Sequence, residues 1–582
     1  MVNLKIARTS EDLETMVKDL ENAPRLACDV ETTSLDVRVM ELDGIGIGHG
    51  SLQWYLPFPD WGITIEETIP YLNKLFKTSD IVFHNAKFDL QVLKKFGYNL
   101  PEKIEDTMLM SWLVDETIPH GLKYLAKNIL DREVTAYNEV QKKVDLFTTK
   151  EDLMEEMAEY CAGDIRNTYD LFEYYYPLLE EDDLLRAYYK VEIPFVFVLA
   201  DIEYRGIRLD VDAMEKMKVK MEKILKETGE KMIAVAGSEA MNFNSPTQLE
   251  NYLFSKNGLG YKSFKQTPSG KNSTDNEALE MIIKEYNLTE DDFVPLLLKH
   301  REYDKLYRTY MIGLMEQAGD TGTIHTNFLQ HGTRTGRLSS SSPNLQNIPA
   351  RSDEWDIRRT FIPRDGYGFI VSDYSQVELR VLAHFSQDPN MVETFKNDGD
   401  IHAKTMELTH TERRQAKVIN FGIIYGMGPR SLAHTLEITE PEAKMFINKF
   451  LNGYPKVRDW MSQVQKYALA RGFVTMITGR RRRFYDLFDK KFFNNIRRQS
   501  VNTKIQGSAA DVIKIAMLKL HKELPKHDAH ILIQIHDEVV VEAPLDKMEE
   551  ISKLVVKIME DAVTLRVPLK VGMEMGDHWV KG

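Results

Sequence analysis

Apolar residues in this chain recur with two different periods. Leu26–Thr33 has the pattern of a strand, and Ile81–Asn85 is a second short apolar run that passes into a helix-type stretch, Ala86–Leu93. The segment from about Glu151 to Tyr176 is helical in pattern. So are Asp212–Gly237, rich in Met, Lys and Glu, and Leu296–Met315. Between the last two, Asn242–Ser273 carries Gly, Ser, Asn, Pro and Lys and is expected to be rich in loops. Further on, Gly368–Ser372 is a strand-type run, and Val377, Leu379, Val381, Leu382 and Phe385 give the spacing of a helix with one buried face. Ile531–Glu542 holds two β-type runs around His536-Asp-Glu and predicts a hairpin with its acids near the turn. Short strands among longer helices predict an α/β and α+β multidomain chain.

At 582 residues the chain is too long for one core and should divide into three or four domains. Hydrophobic residues at 43% and charged residues at 28% place it among ordinary globular proteins. A net charge of −14 excludes coating of nucleic acid by bulk attraction, so any such binding must use local basic patches. Arg480–Arg483, followed by Arg497 and Arg498, is the clearest candidate. Two cysteines, Cys28 and Cys161, imply neither a disulfide framework nor a Cys-based zinc site. The N-terminus lacks the apolar core of a signal peptide, and no apolar run nears the roughly 20 residues of a membrane span. The expected compartment is reducing and cytoplasmic.

The candidate chemistry is mostly carboxylate. Asp29 and Glu31, two apart on a strand, share a face. Their repulsion is relieved by a divalent cation. Asp89 lies on the following helix, and Tyr160 and Asp164 are four apart on another. Asp373 sits where a strand passes into a helix, which suits either a helix cap or a metal ligand. Adjacent Asp537 and Glu538 point to opposite faces if extended, so only Asp537 is expected to face the same metals as Asp373. Arg413, Lys417, Phe421 and Tyr425 recur every four residues and form one helical stripe. Arg413 and Lys417 are like charges that destabilise a helix unless an anion lies over them. Gly422 and Gly426 weaken that helix but admit a close neighbour. In the polar stretch before Asp373, Arg337, Asn344, Gln346 and Asn347 are suited to a sugar–phosphate backbone and minor-groove acceptors. The helical arm suits nucleic-acid backbone contact and a solvated arm equally well.

Asp-x-Glu on a strand, then Asp, then Tyr-x-x-x-Asp resembles the DEDDy 3′–5′ exonuclease family over about residues 1–190. That resemblance implies an RNase H-like domain with two metal ions held by Asp29, Glu31, Asp89 and Asp164. Tyr160 would position the attacking water, and Asn85 and Phe88 would line the site. The rest of the chain resembles family A, DNA polymerase I-like, DNA polymerases: Asp373–Arg380 looks like motif A, Arg413–Gly426 like motif B and His536–Glu538 like motif C. Pro268–Asp275 resembles the family's thumb tip, which favours phosphate contact there.

The second resemblance implies two Mg²⁺ ions on Asp373 and Asp537, with Mn²⁺ as a substitute. It implies triphosphate contacts from Arg413 and Lys417, with Lys417 as proton donor, and a nucleotide pocket shaped by Phe421, Tyr425, Gln376 and His536. Glu378 would exclude ribonucleotides. Arg337, Asn344, Gln346, Arg498, Asn502, Gln506 and Glu538 would contact primer–template DNA. Phe421, where some relatives carry Tyr, implies discrimination against dideoxynucleotides.

The expected architecture is a right hand behind an exonuclease: exonuclease 1–190, thumb 205–320, palm 321–390 and 500–582, fingers 391–499. The expected activity is DNA synthesis from dNTPs with proofreading. The expected state is a monomer, of compact viral type, with no 5′-nuclease domain ahead of residue 1; replisome partners leave no signature. A single-subunit RNA polymerase is disfavoured by Glu378 and by the leading exonuclease motifs. A nuclease whose second half only clamps DNA is disfavoured by intact Asp373, Lys417 and Asp537. A small-molecule phosphohydrolase accounts for neither the helical arm nor the Arg-rich C-terminal segments.

Overall fold

The computed structural model describes residues 3–133, 149–237, 241–349, 355–485, 487 and 489–580. Its first part is built on a mixed sheet of β1 (Asn3–Ile6), β2 (Arg25–Thr32), β3 (Leu42–His49), β4 (Leu52–Pro57), β5 (Asp80–Phe83) and β6 (Ile104–Asp106), in the order β1-β4-β3-β2-β5-β6. β2, β3 and β4 are antiparallel, whereas β5 and β6 run parallel to β2. The helix Lys150–Glu181 starts at a reciprocal cap between Thr149 and Asp152 and crosses this sheet. Gly46 on β3 permits the close crossing, because a Cβ there would lie 2.4 Å from both Cys161 Sγ and Ile165 Cδ1. The crossing carries Tyr160 and Asp164 to the carboxylates of β2. Both cysteines are buried and free.

A second core surrounds a four-stranded antiparallel sheet, ordered His530–Ile535, Glu538–Pro544, Tyr367–Tyr374, Val571–Gly576. The helices Val377–Ser386, Phe493–Glu523 and Met548–Glu560 contribute buried residues to it, as do helices between Pro389 and Arg471. The helix Ile193–Arg205 joins the two cores: Val196 belongs to the first, Phe195, Val198, Leu199 and Ile202 to the second.

The helices Val211–Ala236 and Phe293–Lys305 pack together as an arm, with a small core of its own at the tip. The supposedly loop-rich Asn242–Ser273 contains a helix, Pro246–Phe254. Its signals were present: Ser245 caps it, Pro246 occupies the first turn, and Leu249 and Leu253, four apart, are buried. The returning helix begins at Phe293 and passes through a wider π-type turn at Leu306–Ile312.

The structure overturns one reading of the sequence. Arg480–Arg483 is not an open basic face. Arg480 is buried against Asp511 at 3.0 Å, Arg482 donates to Thr503 and Gln499, and Arg481 and Arg483 both pair with Asp182 of the first part. The run forms an edge strand, Arg481–Arg483, that faces the first body, so its charge is spent inside the protein. Arg497 and Arg498 remain exposed.

Two candidate active sites

The first site is assembled from three elements. Asp29 and Glu31 lie on β2, Asp89 is buried in the first turn of the helix Ala86–Lys95, and Tyr160 and Asp164 come from the crossing helix. The helix bearing Asp89 is anchored by Asp106, whose carboxylate accepts from Ala86 N at 2.9 Å. Asn85 precedes it in a left-handed conformation, φ 71°. With Phe88 it lines a cleft of about 500 Å³ that also holds Leu35 and Gln91. Asp29, Glu31 and Cys161 place one potential ligand atom each within 4.8 Å of one another. Glu31 Oε1 is buried and meets no hydrogen-bond donor among the described residues, as suits an oxygen facing a cation.

Electrostatics point the same way. Burial, then the neighbouring Asp164, pushes Asp29 up to about 8. Burial, then Asp29, pushes Glu31 up to about 9. Burial also lifts Asp89 and Asp164 above the usual carboxylate range. Carboxyls crowded this closely cannot all ionise without added positive charge. One cation is already supplied by the chain. Lys123 pairs with Asp164 and lies 4.1 Å from the centre of the Tyr160 ring. No local pattern marked Lys123, because its partners lie some forty positions away in sequence.

The second site sits at the end of the four-stranded sheet. Register sets Asp373 opposite Glu538, and Tyr374 N donates to Asp537 O at 3.2 Å, so Asp373 and Asp537 become neighbours. Asp537 occupies the hairpin turn beside His536, which is left-handed at φ 55°. Burial raises the Asp537 carboxyl, opposed by Arg337, His536 and a hydrogen bond with Asp373. Glu538 is a correction to the expected DNA contact. It is buried, accepting from Trp579 Nε1 at 2.8 Å and pairing with Arg358 at 3.3 Å.

Gln376, also left-handed, turns the strand sharply into the helix Val377–Ser386 and donates to Asp400 at 3.3 Å. That turn places Glu378 in the first helical turn, where it is buried. One of its oxygens pairs with Arg337, and the other accepts from Tyr425 OH at 2.9 Å. Burial raises Glu378, and burial with Glu378 pushes Tyr425 up to about 12.

The stripe helix runs Arg413–Ile424. Arg413 pairs with Asp400, Lys417 is exposed, and the rings of Phe421 and Tyr425 stack at 5.9 Å between centroids. Tyr425 caps the helix, and Gly426 leaves it in a left-handed conformation, φ 70°. Met427 N bonds to Gly422 O and Gly426 N to Ile423 O, which closes the helix with a Schellman motif. Beyond it a cleft of about 490 Å³ is lined by Tyr425, Ser431, Thr335, Arg498 and Asn502. Gln506 bonds to Tyr425. Gln346 reaches Gln534 at 3.2 Å, and Asn344 caps Gln346 N at 3.0 Å. Asn347 is exposed, with its carbonyl accepting from Tyr310 OH.

Two carboxylate centres on separate sheets, the second walled by cations and stacked rings, define a chain suited to phosphate chemistry at two places. Residues 4–180 match the family described as 3′-5′ exonuclease and 211–581 the one described as DNA polymerase family A. The chain belongs to DNA polymerase family A and carries a 3′-5′ exonuclease domain ahead of its polymerase domain. It is 35% identical to DNA polymerase I of Borreliella burgdorferi and 36% identical to that of Synechocystis, each over 99% of this chain. It spans 64% and 62% of those relatives' length. A solved structure, the polymerase domain of Pol1 from M. smegmatis in complex with DNA primer-template and dNTP, matches with a TM-score of 0.86. It covers 98% of both chains at 28% identity. Domains of these families are generally dependent on divalent metals. Among the described residues no helix is long and apolar enough to cross a membrane.

Proposed function

We propose that this chain extends a DNA primer on a template from dNTPs and removes mispaired 3′ ends at its exonuclease site. The observation that carries the reading is the meeting of Asp373 and Asp537 at one sheet end, beside the Glu378–Tyr425 wall and the Arg413–Lys417 stripe. Asp373 and Asp537 would hold two Mg²⁺ ions, or Mn²⁺ in their place, and Asp29, Glu31, Asp89 and Asp164 another pair. Bound there, divalent ions supply the positive charge that activates the attacking oxygen and steadies the leaving one.

The chain's own side chains do the rest. Arg413 and Lys417 grip the triphosphate, and Lys417 gives a proton to the leaving group. Phe421 and Tyr425 stack around the incoming base, with Gln376 and His536 at its edges. Glu378 closes the space a 2′-hydroxyl would need. Arg337, Gln346, Arg498, Asn502 and Gln506 follow the duplex, and Tyr160 orients water at the exonuclease site. The arm at 205–320 serves as thumb, 391–499 as fingers and the flanking segments 321–390 and 500–582 as palm. The working form is a monomer on primer–template DNA.

The test is a 5′-labelled primer–template with Mg²⁺, with and without dNTPs. Extension with dNTPs and shortening without them is expected. Asp373→Ala is expected to abolish extension and spare shortening, and Asp29→Ala to do the reverse. Extension surviving in Asp373→Ala would retract the metal assignment. Shortening under both conditions would leave the second half a DNA clamp.

A further inference from the structure

We propose that Lys123 is a positioning residue of the exonuclease site, acting through Tyr160 and Asp164; the proposal rests on reading that site as an exonuclease. Lys123 stands in the first turn of the short helix Leu122–Asn128, which packs on the crossing helix. Its ammonium group does two things at once. It pairs with Asp164, a proposed metal ligand, and it lies over the face of Tyr160, the residue assigned to orient water. The two partners are four apart on one helix, so a single cation fixes the spacing between a ligand carboxylate and the phenol beside it.

The surroundings need such a group. Asp29, Glu31, Asp89 and Asp164 are crowded and largely buried, and Glu31 Oε1 has no donor among the described residues. A lysine on a long stem offsets part of that repulsion and lies over the face of the Tyr160 ring. It also remains about one third exposed. Removing the cation should therefore disturb alignment more than affinity.

The experiment compares the full chain with Lys123→Met and Lys123→Arg. Degradation of single-stranded DNA is followed for kcat and KM, Mn²⁺ binding is followed by electron paramagnetic resonance, and primer extension reports correct folding. Lys123→Met is expected to lose about 10–100-fold in kcat, with KM changed less. Its Mn²⁺ binding should be undiminished or tighter, because a competing cation has gone. Lys123→Arg should recover most of the rate. Wild-type kcat in Lys123→Met would overturn the proposal. So would a loss that comes with weakened Mn²⁺ binding, since that marks damage to the ligand set. If the wild-type chain itself fails to shorten DNA, the exonuclease reading falls instead, and the two failures are distinct.

Discussion

At the scale of single residues, both sites hold carboxylates away from their solution behaviour. Asp29 and Glu31 keep their protons up to about pH 8 and 9 in the folded, metal-free site, but release them near pH 4 in an unfolded chain. The folded form is therefore the larger proton binder between those limits, and the stability of this region falls as pH rises from about 4 toward 9. A divalent ion bound there would remove that loss by supplying the charge the site lacks. In EDTA the melting temperature is expected to fall between pH 6 and 9, and the increase produced by Mg²⁺ should be larger at pH 9. An increase of equal size at both pH values would disconnect the carboxylates from the metal. At the other site Arg337 and Tyr425 hold both oxygens of Glu378, which fixes its shape as well as its charge for the proposed gate. Glu378→Ala is expected to raise ribonucleotide incorporation at least tenfold, a loss of about 1.4 kcal/mol of discrimination. An unchanged sugar preference would remove it as the gate.

At the scale of elements, what the sequence disclosed depended on whether the signal was periodic. The stripe from Arg413 to Tyr425 was legible because one helix face repeats every four residues, and the strand–turn–helix at Asp373 because an apolar run stops abruptly at a polar turn. Lys123 was not legible, since only tertiary packing brings it to Asp164 and Tyr160. Arg480–Arg483 was misread because four consecutive charges look solvated until Asp182 and Asp511 arrive from distant segments. Glu538 shows the limit of a motif, because Trp579 and Arg358, brought in from distant segments, occupy its carboxylate. Gly426 carries an element-level consequence of its own. It ends the stripe helix at φ 70°, and a Cβ there would lie 2.4 Å from Arg498 Cγ. Gly426→Ala is expected to cost about 1–2 kcal/mol from backbone alone. It should also displace Tyr425 and Arg498, seen as a weaker apparent affinity for dNTP in single-nucleotide extension. Unaltered affinity would mean that the helix end does not shape the nucleotide pocket.

At the scale of the whole molecule, the two bodies are tied by buried charge as well as by apolar packing. Glu192, at the end of the first core, pairs with Lys514 of the long helix Phe493–Glu523 at 2.8 Å, and both side chains are at most 2% exposed. Gln330 donates to the same carboxylate, and Trp112 of the exonuclease domain lies 5.3 Å from the lysine ammonium. Nearby, Arg481 and Arg483 grip Asp182. A buried pair of this kind adds little over an apolar contact of the same shape, but removing one partner strands the other without water. Glu192→Ala is thus expected to destabilise the chain by about 3–5 kcal/mol, whereas Asp182→Ala, partly exposed, should cost far less. The pairing joins the two bodies, so the Glu192→Ala loss should appear as a change in cooperativity. One unfolding transition should split into two, with the exonuclease domain melting separately from the polymerase domain. A Glu192→Ala protein that still melts in a single transition, with only its midpoint lowered, would show that apolar packing along Ile193–Arg205 couples the bodies on its own and that the buried pair only fixes their register.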